Sequence, residues 1–355
     1  MITILGYDIG GANIKAASIT VSTGKILEIK TASKYFPFWK QDLKDFRKNL
    51  ILLKNQLIGV NQIDLVLVTM TAELSDAFQT KRDGVTIILD NITQVFNNIP
   101  IKVLDAESNL ISIDQAKQLP LKVASANWVA TGWMISQYVD NCVIVDSGST
   151  STSIIPVIDG KIAAKGKTDL EKLSLGELVY TGSLRTNIAA IVQKIPLRGN
   201  IVRVSSELFC QSGDIHLILH NITKEQYTSD TADNRGKNRI DALSRLARLI
   251  CADIEMLKEQ ELISIARYVY SKQIEQIAEG INQVYDKLGA NSKEKIPVIV
   301  TGLGREFLSR KGANHAAIKR IINIEELLPK DVALISPAIG LAMMGTKQHE
   351  GKVLH

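Results

Sequence analysis

Three short stretches set glycines beside carboxylates or hydroxyls in a pattern that could hold a phosphate. The first, Asp8-Ile9-Gly10-Gly11-Ala12-Asn13-Ile14-Lys15, places an Asp at the end of an apolar run and glycines in the turn that follows. Glycine lets backbone N–H groups come close to an anion. The carboxylate can hold Mg²⁺, which keeps several waters and takes only one or two carboxylates. The second, Asp146-Ser147-Gly148-Ser149-Thr150-Ser151-Thr152, repeats the design with hydroxyls. The third, Val300-Thr301-Gly302-Leu303-Gly304, reads as a strand-to-helix turn, where a nucleotide or another phosphate would meet a helix N-terminus. Any one of these alone is most often a plain turn. Together they lead us to expect two Asp-Gly hairpins facing each other across a cleft, with Asp8 and Asp146 on a metal. Gly10, Gly11, Lys15, Gly148, Ser149, Thr150, Gly302 and Gly304 would lie around the phosphate. The Walker GxxxxGK[ST] and Rossmann GxGxxG patterns are both absent.

The elements that must position these stretches come in a repeated order. Thr3–Asp8, Asn13–Val21 and Lys25–Thr31 read as a three-stranded meander, with positive φ expected at Gly10-Gly11 and Thr23-Gly24. A helix at Lys40–Leu57, a buried strand at Ile63–Thr69, a helix at Val85–Asn97 and a strand at Ile101–Leu104 follow. After a helix at Ser125–Tyr138 the order restarts with strands at Cys142–Asp146, Ser151–Ile158 and Lys161–Lys165, turned at Gly148 and Asp159-Gly160. This predicts an α/β chain with a duplicated ribonuclease-H-like fold. A first lobe spans residues 1–123 and a second spans 124–355. Residues 168–237, with a strand expected at Asp214–Asn221, read as an insertion in the second lobe. Helices at Asn238–Lys258 and Glu261–Leu288, a strand at Ile296–Thr301 and a helix at Leu334–Gly345 complete the chain. Pro337 falls in the first turn of that last helix, which should pack back toward the first lobe.

Bulk composition narrows the function. The 355 residues carry a net charge of +5 with no basic stripe, so a nucleic-acid partner is not expected and a small anionic ligand is. Cys142, Cys210 and Cys251 are far apart with no CxxC, which predicts neither disulfides nor zinc and favours a reducing, cytoplasmic setting. No apolar run approaches the length of a membrane span. A homo-oligomer is left open.

At these residues the chain resembles the hydantoinase/oxoprolinase-like branch of the actin–hexokinase–Hsp70 superfamily. More narrowly it is similar to proteins of methanofuran and tetrahydromethanopterin one-carbon metabolism. The resemblance runs nearly end to end. It rests on Gly10-Gly11-Ala12 to Lys15-Ala16-Ala17, Val68 to Leu74, and Gly176 to Gly182. Thr231-Ala232-Asp233 and Arg245-Leu246-Ala247-Arg248 to Cys251-Ala252-Asp253 complete it. It implies a transferase that joins an (aminomethyl)furan-methyl diphosphate to the phenol of γ-glutamyltyramine and releases pyrophosphate. Mg²⁺ and backbone N–H groups would stabilise the leaving diphosphate, and Lys15 or Arg185 would neutralise its charge. A carboxylate base would help a phenol of pKa near 10. Glu73, just past the strand ending at Thr69, is the first candidate and Glu177 the second. The chain departs from the family pattern at Asn13 (His expected), Ser153 (Asp expected) and Asn234 (Gly expected).

Two other functions fit the same fold: an ATP-dependent kinase or ATP-driven hydantoinase/oxoprolinase-like hydrolase, and a non-catalytic actin-like nucleotide-binding protein. ATP is expected only under these alternatives. Several residues also have plainer readings. Glu73 could be a helix-start carboxylate, Asp230 and Asp233 turn residues, and Asp253 a carboxylate on a helix. His216 and His220 would share a strand face as solvated or core residues, without the further ligands a metal needs. Trp128 and Trp133 would be packing residues, and Arg245 and Arg248 would cover a helix face with their stems.

Overall fold

A computed structural model describes residues 1–23, 25–58, 62–329 and 334–350. The chain divides into two compact units. One comprises Met1–Cys142, Ile155–Lys172 and Ile324–His355, the other Val143–Ile154 and Leu173–Asn323.

The first unit is built on a six-stranded sheet of β1 (Ile2–Ile9), β2 (Asn13–Ser22), β3 (Lys25–Tyr35), β4 (Leu65–Met70), β5 (Ile101–Leu104) and β6 (Leu110–Ser112). The strand order is β3-β2-β1-β4-β5-β6. β1 runs antiparallel to β2 and parallel to β4. β1 and β4 are buried almost throughout because both faces of the sheet are covered, as continuous apolar strands require. Strand alternation sorts the two sides. Leu5, Tyr7 and Ile9 enter a core with Phe46, Leu50 and Leu53 of α1 (Leu43–Ile58) and Val85, Ile88 and Leu89 of α2 (Lys81–Val95). The short helices α3 (Ile113–Gln118) and α4 (Pro120–Val123) precede α5 (Asn127–Ser136). α5 packs against the C-terminal helix at Ser336–Glu350, which itself lies on β1, β2 and β4. That close approach explains Gly6, where a Cβ would fall 2.3 Å from the Ala338 carbonyl oxygen.

The second sheet contains β7 (Cys142–Ser147), β8 (Thr152–Ile158), β10 (Leu178–Val179), β13 (Val298–Thr301) and β14 (Ile321–Asn323), in the order β10-β8-β7-β13-β14, with β9 (Lys161–Ile162) on β8. β7 and β14 both run parallel to β13. Within the second unit, α9 (Glu259–Leu288) shares a core with Val143, Val145, Ile154, Val298 and Val300. A further core joins α7 (Ser212–Ile218), α8 (Arg239–Arg248) and the start of α9. The hairpin β11 (Lys194–Leu197) and β12 (Asn200–Arg203), α6 (Asp169–Leu175), α10 (Ser292–Lys295) and α11 (Arg310–His315) complete the elements up to α12, the C-terminal helix. Among the described residues no helix is long and apolar enough to cross a membrane.

The structure corrects several expectations. Asp214–Asn221 is not a strand. Asp214 sits in the first turn of α7 and accepts a hydrogen bond from the Gln211 N–H at 3.1 Å, which starts a helix despite the local alternation. α8 stops at Arg248, and Cys251 takes a left-handed φ of 56°. Asp253 is therefore not helical; it accepts from the N–H groups of Glu255 and Met256 in a turn. Thr23 has the expected positive φ and Gly24 lies outside the described residues, whereas Gly10 and Gly11 are not left-handed. Gly10 is required by close approach, since a Cβ there would lie 2.9 Å from the Asn13 carbonyl oxygen.

Candidate active site

The two Asp-bearing hairpins are built alike. The Gly10 N–H donates to the Asn13 carbonyl at 2.9 Å, and the Gly148 N–H donates to the Ser151 carbonyl at 2.9 Å. Each Asp precedes its glycine by two residues. Each also lies in register with a threonine on the parallel neighbouring strand, Asp8 with Thr69 and Asp146 with Thr301. The C-terminal ends of parallel strands are where α/β sheets bind ligands.

In the first unit, Asp8 is buried on the α5 side of the sheet, and its carboxylate accepts a long hydrogen bond from Asn127 Nδ2 at 3.4 Å. Lys15 is its cross-strand partner. Burial pushes the Asp8 carboxyl above its usual pKa, against the pull of Lys15 and Asn127. The buried Thr69 hydroxyl on the adjacent strand has no hydrogen-bond partner. Over Gly11 the space is open, with no atom within 4 Å of where a Cβ would stand.

Glu73 follows β4 in a 3-10 turn at Ala72–Leu74 and is 1% exposed. Its Oε1 lies 2.7 Å from Ser125 Oγ and 3.9 Å from Lys81 Nζ, while Oε2 is buried without a partner. The Ser125 hydroxyl also lies 2.6 Å from Asp169 Oδ2, and Lys81 Nζ reaches both Ser125 at 3.2 Å and Asp169 at 2.9 Å. Burial raises the Glu73 pKa; Ser125, Lys81 and the residue's own backbone N–H oppose that, and Asp169 adds to it. Gly84 of α2 makes room for the Glu73 backbone, because a Cβ there would come within 2.6 Å of the Glu73 Cα. Ser125, expected to be helical, instead has φ 53° just before α5. This is a sparsely populated conformation for a residue with a side chain, and the segment 125–127 carries the groups that touch Glu73 and Asp8.

In the second unit, Gly302 abuts Asp146 and Gly304 abuts Ser147, while Arg185 meets the same hairpin at Ser149 and Thr150. Ser183 N–H donates to the Gly148 carbonyl, and Leu184 and Arg185 N–H groups to the Ser149 carbonyl. Arg185 Nη1 reaches Thr150 Oγ1 at 3.2 Å. Gly302, at φ +86°, admits no side chain: a Cβ would lie 2.5 Å from Asp146 Oδ1. Gly304 N–H donates to the Ser147 carbonyl at 2.8 Å and caps a π-helical turn at Arg305–Ser309. Such turns recur at functional sites. Hydroxyls tie this turn to the hairpin in one direction: Ser309 donates to Ser147 at 2.7 Å, Ser147 to Thr152 at 3.0 Å, and Thr152 to the Thr181 carbonyl at 2.8 Å. Glu177 is buried just before β10, and its backbone carbonyl accepts from the Ile154 N–H.

Composition and spacing gave no sign of three groups that matter here: Lys81, Ser125 and Asp169. The two histidines do not share a strand face, but one is a core residue and the other a solvated one, as expected. His216 is in α7 and fully buried, and exposed His220 lies past the helix end at φ 58°. Gln273 Nε2 donates to Thr181 and Gly182, so its Oε1 accepts from His216 Nε2, leaving His216 Nδ1 to accept from Asn221. The imidazole is thus neutral, and burial pushes its pKa down to about 3 against the Gln273 hydrogen bond. A depressed histidine stabilises the fold above its unfolded pKa of 6.5, and that contribution is lost as pH falls toward 3. His216→Gln should therefore flatten the loss of urea resistance between those limits; an unchanged slope would remove His216 as its source.

Among the described residues no three His, Cys, Asp or Glu side chains gather into a metal cage. A single strand-end carboxylate with an orphaned hydroxyl beside it suits a mostly hydrated Mg²⁺ better than a transition metal.

A hydantoinase/oxoprolinase family model matches residues 64–348. The chain is 40% identical over 350 residues, 98% of each chain, to the (4-{4-[2-(gamma-L-glutamylamino)ethyl]phenoxymethyl}furan-2-yl)methanamine synthase of Methanocaldococcus jannaschii. A protein of the same name from Methanococcus vannielii is 40% identical over 215 residues, 59% of this chain and 93% of that one. Among solved structures, nucleotide-free acetone carboxylase superposes with a TM-score of 0.52 at 10% identity, covering 96% of this chain and 70% of the other.

Proposed function

The chain belongs to the hydantoinase/oxoprolinase family, on an α/β fold of the actin–hexokinase–Hsp70 class, and from that premise we propose that it is a synthase forming an aryl ether between a furan-methyl diphosphate and a phenol. The observation that carries this reading is the 40% identity, over 98% of both chains, to the furan-2-yl methanamine synthase. The name of that relative specifies a phenoxymethyl link to a furan, with a γ-glutamylaminoethyl group on the phenyl ring. In the reaction the methylene–oxygen bond to the diphosphate breaks, the phenol oxygen takes its place, and pyrophosphate and a proton leave.

The residues support these steps. A furan-methyl diphosphate ionises toward a stabilised cation, so the main task is to stabilise the leaving group. We assign that task to the backbone of the Gly10-Gly11 and Gly148–Thr150 hairpins, with Lys15 and Arg185 neutralising phosphate charge. Gly302 and Gly304 hold the second hairpin in shape. Asp8 and Asp146 are the carboxylates that would hold Mg²⁺, and the undercompensated charge of Asp8 beside the orphaned Thr69 hydroxyl fits such a cation. When bound, Mg²⁺ would supply charge neutralisation on the diphosphate. Glu73 takes the phenol proton, and Glu177 is the second candidate. The three cysteines are free, which suits a reducing cytoplasm.

The test is pyrophosphate release from the furan-methyl diphosphate and γ-glutamyltyramine, with Mg²⁺, in the presence and absence of ATP. Release should be independent of ATP and dependent on the phenol. Strict dependence on ATP would exclude the synthase in favour of an ATP-driven enzyme.

A further inference from the structure

The hydrogen atoms around Ser125 do not add up unless one of two carboxylates is protonated. Ser125 Oγ lies 2.7 Å from Glu73 Oε1 and 2.6 Å from Asp169 Oδ2. Both are distances of an O–H···O bond. A serine hydroxyl has one proton and can donate to one oxygen only. Lys81 Nζ, 3.2 Å from Ser125, can only donate. The second short contact therefore needs a proton from a carboxylic acid. Asp169 is ion-paired to Lys81 at 2.9 Å with its side chain 19% exposed. Glu73 has no exposed side-chain surface, stands 3.9 Å from the same ammonium, and leaves Oε2 unpartnered. An ionised carboxylate in that position would be buried and half unsatisfied, which is costly. The proton belongs to Glu73.

We propose that Glu73, Ser125 and Asp169 form a one-proton relay, in which Glu73 is a neutral acid at rest and its unpartnered Oε2 is the atom that accepts the substrate proton. At rest Glu73 Oε1–H donates to Ser125, Ser125 O–H donates to Asp169, and Lys81 balances the single negative charge. As the phenol proton bonds to Oε2, the Oε1 proton passes to Ser125 and the Ser125 proton passes to Asp169. Glu73 remains neutral and Asp169 becomes neutral. Asp169, the exposed end, then returns its proton to water. No charge is created on the buried carboxyl at any stage, which removes the main objection to a buried base. Among the described residues, Lys81 from α2 and Asp169 from α6 are the charged groups that act on Glu73; Lys172 of α6 lies over the Trp128 ring at 4.2 Å. The direction of the Glu73 pKa shift, upward through burial, agrees.

The identity of the substrate proton rests on the synthase reading, but the resting proton does not, so the two are tested separately. Infrared difference spectra of the ligand-free protein at neutral pH should show a buried carboxylic-acid C=O stretch that disappears in Glu73→Gln. The same band should disappear in Asp169→Asn, because Lys81, deprived of its partner, would ionise Glu73. A band absent from the wild type, or persisting in Asp169→Asn, would overturn the relay. In the pyrophosphate assay, Glu73→Gln and Ser125→Gly (a residue at ease at φ 53°) should each lower kcat by roughly 10²–10⁴ with KM little changed. A kcat near wild type in either would also overturn it. If the wild type releases no pyrophosphate, the synthase reading fails, and the infrared result still decides where the proton rests.

Discussion

Asp8→Asn is expected to lower pyrophosphate release by roughly 10³–10⁵ while leaving the protein as stable as before, or more so. The first half follows from charge. Cation-assisted stabilisation of a leaving phosphate supplies several kcal/mol, and each 1.36 kcal/mol is about tenfold in rate. Asn keeps the shape and a hydrogen-bonding oxygen for Asn127 but loses the charge that we propose holds the ion. The second half follows from burial. The folded pKa of Asp8 is raised, so folding favours its neutral form. Any stability from that preference is present below the unfolded pKa and is lost as pH rises through the folded one. At neutral pH the bare carboxylate is therefore a cost, which Asn removes. Melting temperatures with and without Mg²⁺ separate the two effects: the ion should raise the wild-type value and leave Asp8→Asn unmoved. Activity within about tenfold of wild type would take Asp8 out of the mechanism, since one lost oxyanion-type contact alone costs more than that.

How the site came to be half visible in the sequence can be seen residue by residue. Asp8 and Asp146 were legible because a strand-ending carboxylate, a glycine two residues on and a return strand are all local features, and the chain states them twice. Gly302 was legible as a turn, although not as the residue that abuts Asp146. Glu73 could be picked from its place after a buried strand. Its partners could not: Ser125 is 52 residues away and shows no local signal, because the apolar spacing runs through it into α5 while its own φ is left-handed. Asp169 begins a short helix of mixed composition, and nothing nearby marks it as the end of a relay. α7 misled for the opposite reason. Asp-Ile-His-Leu alternates like a strand, but the helix buries both kinds of residue, with Asp214 and His216 fully enclosed by partners far along the chain. Period alone cannot report a polar residue whose burial is compensated.

Arg245→Met should lower the free energy of unfolding by about 3–5 kcal/mol, the usual result of stripping one partner from a buried ion pair. The spacing of Arg245 and Arg248 suggested two stems lying over a helix, and that holds for neither charge. Arg245 and Asp214 have no exposed side-chain surface. Arg245 Nε and Nη2 both donate to Asp214 Oδ1, at 2.9 and 2.7 Å, and Tyr227 adds its hydroxyl at 3.2 Å. Burial pulls the Arg245 pKa down, but the hydrogen bonds and charge of Asp214 outweigh it and hold it above its usual value. Arg245 Nη1 continues to Asp233 at 3.0 Å and to the Gly236 carbonyl, so one guanidinium fastens α8 to α7 and to the Thr231-Ala232-Asp233 turn. Two of the stretches that carry the resemblance in the sequence are thereby explained as a structural clamp. Arg248 supplies the control, because it bonds the same Asp233 at a shorter 2.8 Å yet its side chain is 32% exposed. Exposed pairs are worth about 0–1 kcal/mol, so Arg248→Met should move the unfolding midpoint far less. Double replacement of Arg245 by Met and Asp214 by Asn should recover part of the loss, because no orphaned charge remains and the Asn oxygen still accepts from Gln211 or Tyr227. Equal midpoints for Arg245→Met and Arg248→Met in urea would show that burial does not set the strength of this clamp.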